Sequence, residues 1–169
     1  VLYDFPELYD PITRRVCEYL AGFQNVTIQS CHVQRSKDRE DRANERNYKI
    51  MAPIQYQEAV HCLAFVLYIL SGLAGDLDAV FADGLSVRAD SELYHPPNPA
   101  AYPHVVDGKC DYQLILGPVR IEGCTNFLRG ANWTKRRILR GRGDGKSFVI
   151  DVEFLEGRKQ LTINGEPQT

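Results

Sequence analysis

A single histidine interrupts the run Gln57-Glu58-Ala59-Val60-His61-Cys62-Leu63-Ala64-Phe65-Val66-Leu67-Tyr68-Ile69-Leu70. An imidazole exchanges protons near neutral pH, so His61 has the chemistry of a general acid or base. The plainer alternative is a hydrogen-bonded core histidine, the usual fate of a lone histidine in a buried helix. Its place near the start of the predicted helix, the end that usually faces loops, keeps both readings open. His32, His95 and His104 are scattered, and no Ser-His-Asp order, metal-type histidine spacing or glycine-rich dinucleotide fingerprint is visible.

Two other stretches invite a chemical reading. Gly141-Arg142-Gly143-Asp144-Gly145-Lys146-Ser147 suggests a phosphate loop, but the spacing would put the first glycine at position 140, which is Arg140, and the residues that follow are strand-like rather than helical. A hairpin turn is the better reading. Between Arg129 and Lys146 lie seven basic residues and one acid, Asp144, with Phe127 and Trp133 nearby. Basic strands interleaved with aromatics can hold single-stranded nucleic acid. The solvated face of two strands, or an interface, explains the same pattern, and nucleic acid is not the partner we expect.

The elements that must position these residues follow from periodicity. Asp10 can cap a helix that Pro11 opens, with Ile12, Val16, Tyr19 and Leu20 on one face and Gly22 as its stop. Val26 to Val33 alternates as a half-buried strand does. Arg35 to Lys49 is charged in both signs and reads as a solvated loop, either a plain surface loop or one folded over a site. Ile54 to about Ser71 is helical, apolar all round from Leu63 to Leu70, and too short in its uncharged span to cross a membrane. After Gly72 the expectation is strands: Ala79–Phe81, Leu85–Ala89, Asp111–Leu116, Val119–Gly123, Arg136–Leu139, Phe148–Phe154 and Gln160–Ile163. Leu93 to Pro99, with Tyr102-Pro103-His104, is a stiff proline-rich excursion, a lid or a partner-contacting arm. The sum is an α+β domain: two helices against one face of a large, mainly antiparallel sheet.

Length and composition bound the rest. The 169 residues suit one domain, and 44% hydrophobic with 25% charged residues describes a globular chain. A formal charge of -2 predicts no global attraction to nucleic acid or anionic membrane. Five widely spaced cysteines, an odd number, read as reduced thiols in a cytoplasmic protein rather than a disulfide framework or zinc site. The start of the chain has no signal-peptide pattern.

The order of these features resembles a known family. Tyr9-Asp10-Pro11 opening a helix, a strand ending in Val33-Gln34-Arg35-Ser36-Lys37, a polar loop, a helix bearing His61 and then Leu67-Tyr68-Ile69-Leu70-Ser71-Gly72, and strands closing with Leu161-Thr162-Ile163-Asn164-Gly165 are similar to the C-terminal domain of the glucose-fructose oxidoreductase / inositol dehydrogenase / MocA family. The resemblance implies a substrate-binding and oligomerisation domain of an NAD- or NADP-dependent oxidoreductase acting on a sugar or polyol. It implies that the cofactor is bound mainly by a Rossmann domain not present in these residues, and that homo-oligomers form through the open face of the sheet. In the family's Asp-x-x-x-His pattern the histidine maps to His61 as the catalytic group. The aspartate maps to Gln57, which can hold a hydroxyl but cannot accept its proton. Tyr9, Arg35, Lys37, Tyr94 and His95 are the candidates for the pocket wall. A non-catalytic regulator with the same fold is the alternative, motivated by Gln57.

Overall fold

The computed structural model describes residues 5–41, 43, 54–95, 99–100 and 107–168, those at 54–57 and 107 by backbone alone. A one-turn 3-10 helix, Pro6–Tyr9, leads into α1, Pro11–Ala21. Asp10 caps α1 by accepting a hydrogen bond from the Ile12 amide at 3.0 Å, and Lys159 reaches its carboxylate at 2.9 Å. Such a cap is worth about 1 kcal/mol. Gly22 ends the helix, its amide bonding back to the Tyr19 carbonyl.

The chain continues as β1 (Val26–Ser36), α2 (Ile54–Ala74), α3 (Leu77–Phe81), β2 (Leu85–Leu93), β3 (Asp107–Leu116), β4 (Val119–Asn126), β5 (Thr134–Gly143), β6 (Lys146–Glu153), β7 (Gln160–Ile163) and β8 (Glu166–Pro167). The strands form one sheet in the order β2-β3-β4-β1-β5-β6-β7-β8. Every neighbouring pair is antiparallel except β1 with β4, which runs parallel from Ser30↔Arg120 to Ser36↔Asn126. The α+β expectation holds, with one parallel seam at the centre of the sheet.

Two expectations need correction. Ala79–Phe81 is not a strand but the end of α3. Helix continues past Gly72 to Ala74, and Asp76 then restarts it by accepting the Ala79 amide at 2.7 Å. Three short β-prone residues cannot outvote an N-cap that satisfies an otherwise free helical donor. Gln160–Ile163 is a strand with the expected bounds, whereas several others run longer than the sequence suggests, because ladder pairing carries β2 to Leu93 and β5 to Gly143. The proline-rich excursion lies largely outside the described residues.

One face of the sheet is covered. Val16 and Leu20 of α1 and Phe65, Val66 and Ile69 of α2 pack on Val33, Ile121, Leu139, Ile150 and Val152, all of them buried. Each such side chain removed from water contributes roughly 1.5–3 kcal/mol. Cys31 is sealed in this core, and burial pushes its thiol up to about 12. All five cysteines are free thiols. The Gly141–Ser147 motif is the β5–β6 hairpin: Asp144 and Gly145 both have positive φ, at 49° and 80°, as a two-residue turn of this hand requires. No described helix is long and apolar enough to cross a membrane.

Candidate functional site

His61 stands on the second turn of α2, three residues after Glu58, so the two share a helix face. That face meets the C-terminal end of β1 and the 3-10 helix, and the result is a half-buried cluster of charges at the edge of an apolar core. Arg35, projecting from β1, is bound by both Glu7 and Glu58. Arg39 reaches the other oxygen of Glu58 at 2.7 Å and lies over the Phe127 ring. Arg137, on β5 and fully buried, donates to Glu7 at 3.3 Å and to the Gln34 and Arg136 carbonyls at 2.8 and 2.9 Å. Two carboxylates thus bridge three guanidiniums contributed by separate elements.

His61 borders this network. Its Nδ1 is 4.0 Å from Glu7 Oε2, beyond hydrogen-bond reach, and its ring packs edge-on against Phe5 with centroids 5.4 Å apart. Nδ1 is buried with no hydrogen-bond partner among the described residues, whereas the side chain as a whole keeps 19% exposure. The exposed part of the ring therefore lies away from Nδ1. Burial, and then the nearby Arg35 charge, hold the imidazole below its ordinary 6.5, against the opposing pull of Glu7 and Glu58. Burial also works against the Glu58 charge, but Arg35 and Arg39 overcome it and keep that carboxyl below its usual range. The cluster therefore presents a neutral imidazole, able to accept a proton, beside an ionised glutamate–arginine network.

Of the residues singled out from sequence, the structure brings together His61 and Arg35. Gln57 lies on the first turn of α2, its side chain outside the described residues. Tyr9 is 85% exposed. Lys37 lies over the Trp133 ring, 5.5 Å from its centroid. Tyr94 donates its hydroxyl to Glu40, and His95 is exposed. Glu7, Glu58, Arg39 and Arg137 were not anticipated. The Glu58–His61 spacing could have been noticed, whereas Arg137 is hidden within a basic run. That run does not form a one-sided patch: Arg137 turns inward, Arg136 is paired with Asp151, and Arg142 donates to the Gly145 carbonyl at 2.7 Å.

Among the described residues no group of three or more histidine, cysteine, aspartate or glutamate side chains is placed to hold a metal ion. A dinucleotide calls for a glycine-rich turn from strand to helix, and the connection from β1 to α2, residues 37–53, contains no glycine. These residues do not fit a nicotinamide dinucleotide.

No family model and no curated protein sequence matches the chain. Solved structures do. D-galactose-1-dehydrogenase from Rhizobium etli matches with a TM-score of 0.58 at 14% identity, over 95% of this chain and 45% of its own. The super-repressor mutant of Gal80p from Saccharomyces cerevisiae gives 0.53 at 10%, over 95% and 45%. KijD10, a 3-ketoreductase from Actinomadura kijaniata in complex with TDP-benzene and NADP, gives 0.51 at 13%, over 96% and 46%. The chain spans less than half the length of these structures. It has the fold that these structures share over the part of each that it covers.

Proposed function

We propose that this chain is the substrate-binding domain of an NAD- or NADP-dependent oxidoreductase acting on a sugar or polyol, with His61 as the group that takes or returns the substrate hydroxyl proton. The observation that carries the reading is the neutral imidazole at the start of α2, partly exposed and bordered by Glu7, Glu58 and Arg35. Three solved structures with this fold include a sugar dehydrogenase and a ketoreductase. On this reading the nicotinamide is held by a separate Rossmann domain, Gln57 orients the hydroxyl, and the open face of the sheet meets a second copy. In the protein joined to that domain, His61→Ala lowers turnover by about 100-fold or more, the scale of general acid-base assistance. Turnover unchanged by the substitution would overturn the assignment.

A second reading is a ligand-sensing regulator that performs no chemistry. The repressor among the similar structures favours it, as does glutamine in place of a carboxylate at position 57. It predicts sugar or polyol binding that His61→Ala weakens, with no turnover under any cofactor.

A further inference from the structure

The two edges of the sheet differ. One ends in β8, two residues long and containing Pro167, which closes that edge to further pairing. The other is β2, nine residues, all exposed, without a proline or lysine to blunt it. Its inner side pairs with β3 along its length, and among the described residues no strand pairs with its outer side. Leu85, Val87 and Leu93, which share one face by alternation, are 48%, 58% and 81% exposed.

The charges on the other face are also unspent. Arg88 and Asp90 make no hydrogen bond or ion pair among the described residues, whereas their neighbours are engaged: Lys109 bridges Glu92 at 3.6 Å and Asp111 at 2.8 Å. Within its own sheet Asp90 stands opposite Asp111, a like charge, and Arg88 stands opposite Gln113. Among the described residues, then, neither has a charge complement.

We propose that two copies of this chain pair through β2, antiparallel about a two-fold axis at Ala89, and so join two sheets into one. An antiparallel strand pair about a two-fold axis keeps residues on their own face, which leaves few registers. An axis at Arg88 sets Arg88 against itself, and an axis at Asp90 sets Asp90 against itself. An axis at Ala89 places Arg88 opposite Asp90 of the second copy twice over, Leu85 opposite Leu93 twice, and pairs all nine residues of the strand. Opposite charges and apolar pairs directly across a ladder stabilise it, and like charges destabilise it. The pairing uses the backbone edge of the sheet rather than the open face from which Arg88 and Asp90 project, and the 89–89 cross-link below reports on the edge alone.

Sedimentation equilibrium at about 0.1 mM chain, an affinity range open to a small interface, tests the pairing. The expected mass is that of two chains, or a multiple of two where the open face also meets a copy. Arg88→Glu sets like charges opposite each other at two symmetric positions and weakens association about tenfold or more, and adding Asp90→Arg restores it. Oxidation of Ala89→Cys yields a 89–89 cross-link identified by mass spectrometry, whereas Val87→Cys, which would face Ser91, yields none to itself. A chain that stays monomeric overturns the proposal. So does a dimer whose affinity ignores Arg88→Glu and whose Ala89→Cys variant does not cross-link.

Discussion

The imidazole of His61 is held neutral by its surroundings, and that has a measurable consequence for folding. Because its folded pKa lies below 6.5, the unfolded chain takes up a proton that the native chain refuses once the pH drops under about that value. Stability therefore declines as pH falls from 6.5 toward the folded pKa. Glu58, lowered from 4.5, contributes stability that is present above that value and is lost as pH falls through its folded pKa. The first stage should flatten in His61→Gln while the second remains. Urea unfolding at about pH 7.5 and about pH 5.5 distinguishes the two proteins, and an identical pH slope in both would refute the account. At this scale His61 was visible from type and spacing, as a lone imidazole in an apolar run, whereas Arg35 was singled out only by the family resemblance and lay in what reads as a loop. The sequence hid Arg137, since nothing in Lys135-Arg136-Arg137 says which guanidinium turns inward. Strand alternation allows either face until the register with β1 is fixed.

At the level of elements, local chemistry was legible wherever a cap or turn residue decided the outcome. Asp10-Pro11 opened α1 and Gly22 closed it; Gly143-Asp144-Gly145 turned the β5–β6 hairpin. It failed at Ala79–Phe81, where β-prone side chains outweighed the capping role of Asp76 in the reading but not in the molecule. One contact between elements could not have been foreseen. Gly123 on β4 sits opposite Tyr112 on β3, and a Cβ added there would fall 1.9 Å from the Tyr112 ring. The tyrosine lies across the space a side chain would occupy, and burial pushes its hydroxyl well above the usual range. Gly123→Ala should destabilise by about 1–3 kcal/mol through overpacking. Tyr112→Ala leaves a cavity of its own, so the double variant should cost less than the sum of the two. Additive losses in denaturant titrations would argue that the contact is not the cause.

Across the whole molecule, the charge cluster ties distant parts of the chain together. Glu7 precedes the first long helix, Arg35 lies near the end of β1, Glu58 near the start of α2 and Arg137 on β5, yet all meet at one place. Glu7→Ala leaves the fully buried Arg137 guanidinium without its carboxylate and should cost about 3–5 kcal/mol of global stability, seen as a lowered midpoint in thermal or urea unfolding. A loss under about 1 kcal/mol, the range of an exposed surface pair, would mean that the network is solvated in solution.

The parallel seam between β1 and β4 has a temporal consequence. Both neighbours of β1 come from the later part of the chain, β4 beginning at Val119 and β5 at Thr134. During synthesis β1 thus waits about a hundred residues for either flank, and contacts of such long sequence separation are slow to form. Until β5 has been made, Glu7 has no Arg137 to hold. The residues around His61 therefore complete their arrangement late, only once β5 has joined the sheet and brought Arg137 to Glu7.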